Sequence, residues 1–295
     1  MNDFRLVVFL SVARNLSFTK ASNELYISQP AISKHISEIE SLYGIQLFER
    51  TNNKVSLTIQ GHTFLKFAEE IHRQYQELEF EMNLSTQNHT GKLIIGASTT
   101  IAQYILPTIM SKFMNSFPEI KLSLVTGNTE YIENLILDHK IDLGIIEGAS
   151  HKKEFKYSRF AKDELVLVTS TTNKNYKDEV SIDELKDLPI LLRESGSGTL
   201  EVIQKHLKTR GVKVANLNII MQLGSSEAIK RFVMTGDSYA IISIAAVADE
   251  LRRGELTVVE IDGIRIEREF SFINLNGCQS RLVDQFMQFA LNAYN

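Results

Sequence analysis

Residues 17–50, SFTKASNELYISQPAISKHISEIESLYGIQLFER, constrain this chain more than any other stretch. They read as a short helix, a three-residue turn and a longer second helix. Ser17 can cap the first helix by accepting a hydrogen bond from a free backbone N–H, and Ala21 and Leu25 share one helical face. Ser28 is a second capping residue, and Pro30 falls in the first turn of the next helix, where its missing N–H costs nothing. Ile32, Ile36 and Ile39 form the inward stripe of that helix at spacings of four and three. Its other face opens with Gln29, Ser33 and Lys34. This is the anatomy of a helix-turn-helix, whose second helix lies in the DNA major groove with its first residues against the base edges. A purely structural helical hairpin is the other reading of the same spacing.

Charge decides how such a surface would have to work. The chain of 295 residues carries a net charge of −4, with 43% hydrophobic and 23% charged residues. That is ordinary for a globular protein of two or three domains, and it excludes a wholly basic nucleic-acid coat. Up to Ile59 there are six basic residues (Arg5, Arg14, Lys20, Lys34, Arg50, Lys54) against five acidic ones (Asp3, Glu24, Glu38, Glu40, Glu49), a net of +1. Non-specific DNA affinity should therefore be modest, and a dimer would help. The single cysteine, Cys278, excludes an intramolecular disulfide and a Cys-rich zinc site. No apolar run approaches bilayer length, and the N-terminus has no basic leader or small-residue cleavage site, so a cytoplasmic location is expected.

In chain order, Phe4, Val7, Val8, Leu10 and Val12 fit an opening helix. Gly44 is a stop after Tyr43. RTNNKVSLT, residues 50–58, reads as a hairpin with Asn52-Asn53 in the turn and Val55 and Leu57 inward. Beside a recognition helix it would make a wing, from which Arg50 and Lys54 could reach phosphates or the minor groove; a solvated hairpin is the alternative. Thr58 then caps a long helix to about Leu84. Phe64, Ala68, Ile71, Tyr75, Leu78 and Met82 form a heptad seam, suited to pairing with a second copy or to packing within the same domain. Residues 85–91, STQNHTG, read as a hinge.

Beyond the hinge the texture becomes that of an α/β protein. Strands are expected at 92–97, 121–126 and 141–146, with helices at 101–117 and 129–139 between them. A second series places strands near 165–169, 190–192, 218–223, 239–242 and 256–259, separated by helices near 200–210, 227–235 and 245–253. A strand at 269–274 and a helix at 281–294 close the chain. The alternation implies parallel βαβ units.

The whole chain resembles a LysR-type transcriptional regulator. SFTKAS, LYISQPAISKHI, YGIQLFER and VSLTIQG carry the resemblance in the first part, and LIIGAS, ILPTIMSKFMNSFPEIKL, IDLGIIEG and RESGSGT in the second. Departures are Ser22, where the pattern usually has alanine, Leu200, where relatives often place a basic residue, and the run Gly236-Asp237-Ser238-Tyr239. The resemblance implies a winged helix-turn-helix domain over residues 1–58 and a linker helix with hinge over 59–90. It implies an effector-binding domain over 91–295 similar to type 2 periplasmic binding proteins. That domain would have two α/β lobes, 91–162 with 267–295 and 163–266, joined by crossover strands. It further implies a homotetramer built from dimers, double-stranded DNA as ligand, and RNA polymerase as a further partner.

Gln29 can pair with adenine through two hydrogen bonds, and Lys34 can contact guanine or phosphate. Thr19, Ser28 and Ser33 are short donors suited to phosphates, and Pro30 offers apolar contact to a thymine methyl. On the effector side, Ser98, Thr99 and Thr100 follow the first strand and open a helix, where free N–H groups and hydroxyls suit an anion. Ser195, Gly196, Ser197, Gly198 and Thr199 repeat that arrangement in the second lobe, with glycines permitting close approach. Thr129 heads another helix. Each loop taken singly is also an ordinary capped helix start. Facing each other, the two loops would hold a small anionic effector, with no other cofactor. An enzyme is disfavoured, because the GSGT run is neither a nucleophile elbow nor a P-loop and the seven histidines are scattered. A solute-binding receptor, or a regulator acting without ligand, is the remaining alternative.

Overall fold

Asp3 sets the first helix by accepting a hydrogen bond from the Arg5 N–H at 3.0 Å. In the computed structural model, which describes residues 3–51, 54–84, 91–148, 152–277 and 280–294, the chain divides into two compact units, 1–89 and 90–295. The first unit begins with α1 (Phe4–Asn15), α2 (Phe18–Leu25) and α3 (Gln29–Tyr43). Ser17 accepts from the Lys20 N–H and Ser28 from the Ala31 N–H, so both capping residues read from the sequence are engaged. Leu16, Tyr26 and Gly44 end the three helices in the left-handed region. Gly44 takes that conformation without strain, and a side chain at Tyr26 pays a small local penalty for it.

The strands β1 (Phe48–Thr51) and β2 (Lys54–Leu57) pair antiparallel, Phe48 opposite Leu57 and Thr51 opposite Lys54. The expected turn residues Asn52-Asn53 and the side chain of Arg50 lie outside the described residues. Helix α4 (Ile59–Leu84) follows, with Thr58 Oγ1 accepting from the Gly61 N–H at 2.9 Å. Phe9, Phe18 and Phe48 pack edge and tilt against one another at the centre, with Ile32, Ile36, Ile39 and Leu47 around them. The seam expected along α4 is corrected here in its first half. Ala68 is 1% exposed and closes its own unit's core, so it is not available to a second copy, while half-buried Phe64 packs its ring 4.7 Å from that of Phe9. Ile71 and Leu78 are exposed, Tyr75 is half-buried, and the Met82 side chain lies outside the described residues. Phe67, absent from the expected seam, joins Ile71 and Leu78 among the exposed apolar residues of α4.

The second unit opens with β3 (Gly91–Ser98), α5 (Thr99–Tyr104), α6 (Leu106–Ser116), β4 (Ile120–Gly127), α7 (Thr129–Leu137) and β5 (Leu143–Glu147). The hinge expected at 85–91 lies, except for Gly91, outside the described residues. Next come the long strand β6 (Phe155–Ser170), β7 (Glu179–Val180), α8 (Ile182–Asp187), β8 (Ile190–Arg193) and α9 (Gly198–Thr209). The chain continues through β9 (Ile219–Leu223), α10 (Ser226–Val233), β10 (Tyr239–Ser243) and α11 (Ile244–Arg253). It ends with β11 (Leu256–Ile261), β12 (Ile266–Leu275) and α12 (Arg281–Tyr294). Neighbouring strands run β4-β3-β5-β12-β6-β10-β8-β9, with β11 on β6 and β7 on β11.

Two expectations change. The single helix over 101–117 is two, because Pro107 has no N–H to bond the Gln103 carbonyl and the chain bends at Ile105. The sheet is also not a run of parallel units. β3 pairs parallel with β4 and β5, and β8 with β9 and β10, whereas β6 and β12 pair antiparallel with each other and with their flanking strands. These two strands cross between the two parallel groups, so the lobe boundaries read at 162/163 and 266/267 fall within or at the edge of them. Short β7 and α8 were not expected, although Ser181-x-x-Glu184 is a capping box that marks the start of α8. Cys278 lies outside the described residues.

Candidate functional site

In the first unit the outer face of α3 opens with Ser28, Gln29 and Pro30 exposed, Lys34 exposed one turn on, and Ser33 half-buried between them. Gln29 Nε2 donates to Ser33 Oγ at 3.3 Å, so the two polar side chains lie side by side on the first turn. Thr19 is exposed on α2 and Lys54 on β2. Tyr26, in the turn between α2 and α3, is 95% exposed. It caps α2 in the left-handed region, with φ 55°.

In the second unit the two expected anion loops meet, and a residue not singled out stands between them. Glu147 ends β5 and is 1% exposed. Its carboxylate accepts from Ser98 Oγ at the end of β3 and from Thr199 Oγ1 on the first turn of α9, the latter at 3.2 Å. Arg268 on β12 reaches the same carboxylate at 3.5 Å and donates to Thr199 Oγ1 at 2.8 Å. Its Nε pairs with Asp163 of β6 at 2.7 Å, and Asp163 accepts from Ser243 Oγ at 2.8 Å. Thr129 Oγ1 donates to the Glu147 carbonyl at 2.7 Å. A Cβ on Gly198 would lie 1.8 Å from that carbonyl oxygen, so only glycine permits the approach of α9 to β5.

The remaining residues of the loops are distributed around this cluster. Thr100 Oγ1 lies 3.1 Å from Ser226 Oγ, which in turn accepts from Arg193 Nη1 at 3.4 Å. Arg193 is held by Glu194 through two hydrogen bonds, at 2.8 and 2.9 Å. Burial opposes ionisation of Glu194, but Arg193 outweighs it and holds the carboxyl below its ordinary range. Gly196 accepts at its carbonyl from the Glu130 N–H at 3.2 Å, and exposed Ser195 at its own from Asn128 Nδ2 at 3.4 Å. Thr99 Oγ1, Ser197 Oγ and Arg268 Nη2 are buried without a hydrogen-bond partner among the described residues. Neither Ser98 nor Ser197 caps its helix with its side chain. Both hydroxyls sit at the C-terminal edge of parallel strands, where open α/β sheets bind ligands.

Glu147, Arg268 and Asp163 were missing from the sequence reading. Arg268 had a legible signal: in IEREFSF it occupies an inward position of an alternating strand, with Ile266 and Phe270 on the same face. Glu147 closes the apolar run LGII, and only the meeting of β5 with α9 turns it into the centre of a site.

Residues 4–62 match the family model for the bacterial regulatory helix-turn-helix protein of the lysR family, and residues 86–295 match the LysR substrate binding domain. The chain belongs to the LysR family. It is accordingly a transcriptional regulator with a DNA-binding helix-turn-helix and an effector-binding domain. Among LysR-family relatives it is 33% identical over 289 residues to the "Probable RuBisCO transcriptional regulator" of Thalassiosira pseudonana, covering 96% of this chain and 94% of that protein. The crystal structure of full-length CbnR complexed with its target DNA is 20% identical with a TM-score of 0.67, covering 99% of this chain and 100% of that one, a likeness of fold. The CcmR regulatory domain of Synechocystis PCC6803, solved in complex with 2-PG, is 27% identical with a TM-score of 0.63 and covers 70% of this chain and 98% of that one. Among the described residues, no helix is long and apolar enough to cross a membrane, and no group of three or more His, Cys, Asp or Glu side chains suits a metal ion.

Proposed function

We propose that this LysR-family regulator reads its operator with the first turn of α3 and that a small anion held among the loops 98–100 and 195–199 modulates it. Gln29 and Lys34 make the base-facing contacts, while Thr19, Ser28, Ser33, Arg50 and Lys54 hold phosphates and Pro30 meets a thymine methyl. The observation that carries the DNA reading is exposed Gln29, bonded to Ser33, on an α3 whose opposite face, Ile32, Ile36 and Ile39, is buried in the core. A helix so anchored presents one fixed face, which is what groove recognition requires.

For the effector, the supporting observation is the convergence of Ser98, Thr199 and Arg268 on one buried point, with Thr99, Ser197 and Arg268 each keeping an unpaired polar atom. That the related CcmR regulatory domain is solved with 2-PG supports a small-molecule effector for this domain. The regulator works as a dimer of dimers in the cytoplasm, pairing through the exposed apolar residues of α4 and acting on RNA polymerase at its promoters. It carries out no catalysis of its own. The test is selection of bound genomic fragments by the purified full chain, followed by footprinting with and without small anions. A footprint whose length and bend respond to an anion supports the reading. Equal binding to scrambled competitor DNA refutes the operator contact, and a footprint that no anion alters refutes the modulation.

A further inference from the structure

An anion site normally presents donors and positive charge, yet the point where Ser98, Thr199 and Arg268 converge already holds the carboxylate of Glu147. Together with Asp163 on the far side of Arg268, two carboxylates flank a single guanidinium. An acceptor-only anion entering here would set its lone pairs against those of Glu147 in a buried place, where like charges repel most strongly. A ligand that carries its own O–H escapes this, because it donates to Glu147 while its other oxygens accept.

Buried groups of the same site supply donors for those oxygens. Thr99 Oγ1, Ser197 Oγ and Arg268 Nη2 are each more than nine-tenths buried and unpaired. Arg268 Nη2 belongs to the same planar guanidinium whose Nη1 touches Thr199 and Glu147, so it lies beside the carboxylate. Unpaired hydroxyls on residues close in sequence to Ser98 and Thr199, which hold the Glu147 carboxylate, together with Arg268 Nη2 on the guanidinium that touches it, describe the hydrogen-bonding complement of a protonated oxyanion. We infer that Glu147 selects effectors bearing an acidic or alcoholic O–H next to their negative charge: hydrogen phosphate or its monoesters, other hydrogen oxyanions, or 2-hydroxycarboxylates. Fully deprotonated tetrahedral anions and simple carboxylates are rejected. The inference rests on the reading that this junction is the effector site, and it adds the chemistry that discriminates among anions there.

The test uses the full chain and matched probes at neutral pH and constant ionic strength, with calorimetry and thermal shift as readouts. Inorganic phosphate keeps an O–H under these conditions and sulfate does not; glycolate has a hydroxyl and acetate lacks one. Wild-type protein is expected to bind phosphate over sulfate, and glycolate over acetate, by about tenfold or more, the cost of leaving a buried acceptor unmatched. In Glu147→Gln the side-chain amide can donate, so sulfate binding is expected to rise and the phosphate preference to collapse. Sulfate binding wild-type protein as tightly as phosphate would overturn the inference while leaving the effector site standing, and that arm needs no variant to fold. A preference that survives unchanged in a folded Glu147→Gln protein would also overturn it. If none of the four probes binds wild-type protein, both the inference and the anion reading of the site fall.

Discussion

Tyr104 Oη donates to Glu227 Oε2 at 2.8 Å, and the ammonium of Lys230 stands 5.0 Å from the centre of the same tyrosine ring. Tyr104 ends α5, at the outer end of the 98–100 loop, while Glu227 and Lys230 belong to α10 on the far side of the crossover strands. With the Thr100–Ser226 contact beside it, this pair fastens α5 to α10. Burial and the bond to Glu227 push the tyrosine hydroxyl up to about 12, so at neutral pH it is a donor throughout.

Tyr104→Phe removes the donor and leaves Glu227 with its lysine and arginine partners. A hydrogen bond to a charged group of this kind contributes about 1–2 kcal/mol, less where solvent reaches it. The thermal midpoint of the effector domain is expected to fall by about 2–4 °C, the shift such a loss causes in a domain of this size. Small-angle scattering should show a slightly larger radius, and an unchanged midpoint would mean that the contact does not hold α5 to α10.

Acid should release the same latch. Burial opposes ionisation of Glu227, but Lys230, Tyr104 and Arg231 together hold its carboxyl at about 2, against an ordinary 4.5. A carboxyl depressed in the folded state contributes stability that is complete above its unfolded value and is lost as pH falls toward the folded one. The contribution is therefore expected to be constant above about pH 5 and to drain away between there and about pH 2. Chemical denaturation along that interval should show a shallower slope for Glu227→Gln than for the wild type.

Gln29→Ala tests the recognition helix. Loss of about 1–3 kcal/mol at the specific operator is expected, with binding to random DNA nearly unchanged, because a base-edge contact discriminates and a phosphate contact does not. Lys54→Ala should weaken both kinds of DNA alike and reduce the salt dependence by about one charge. Electrophoretic titrations on selected and scrambled duplexes across a salt series separate the two.

Gly198→Ala forces a methyl toward the Glu147 carbonyl, 1.8 Å from where a Cβ would stand, and 2.6 Å from Thr129 Oγ1. Backbone on one side and a bonded hydroxyl on the other leave little room to yield. Overpacking at such a contact costs about 1–3 kcal/mol, so a measurable drop in unfolding free energy is expected. Gly211→Ala is the contrasting control: it has a positive φ with nothing nearby, and its strain is conformational only.

Along α4, Ile71→Glu and Leu78→Glu place charge on exposed apolar positions and should leave the monomer folded while breaking self-association in sedimentation. Ala68→Glu instead buries a carboxylate in the core of the first unit and should unfold it. If Ile71→Glu and Leu78→Glu sediment as the wild type does, the pairing surface lies elsewhere.

The first unit was almost wholly legible as sequence, because its determinants are local. Capping at Ser17 and Ser28, Pro30 in a first turn, Gly44 at a stop and isoleucines at helical spacing act within a few residues of where they stand, so order along the chain determines them. Even there the burial of Ala68 required α1 and α4 to meet. In the effector domain the same local signals located most helices and strands, but not their directions: that β6 and β12 run antiparallel between two parallel groups depends on which strands become neighbours. The hydroxyls of both loops could be named from the sequence for the same local reason. Glu147, Arg268 and Asp163 could not, since a charged residue in a strand acquires a role only from partners some 50 to 120 positions away that folding brings to it. Sequence alone determined the elements and the kind of chemistry at their ends; tertiary structure decided which charge sits among those ends, because burial makes an unpaired charge too costly to leave and so selects its neighbours.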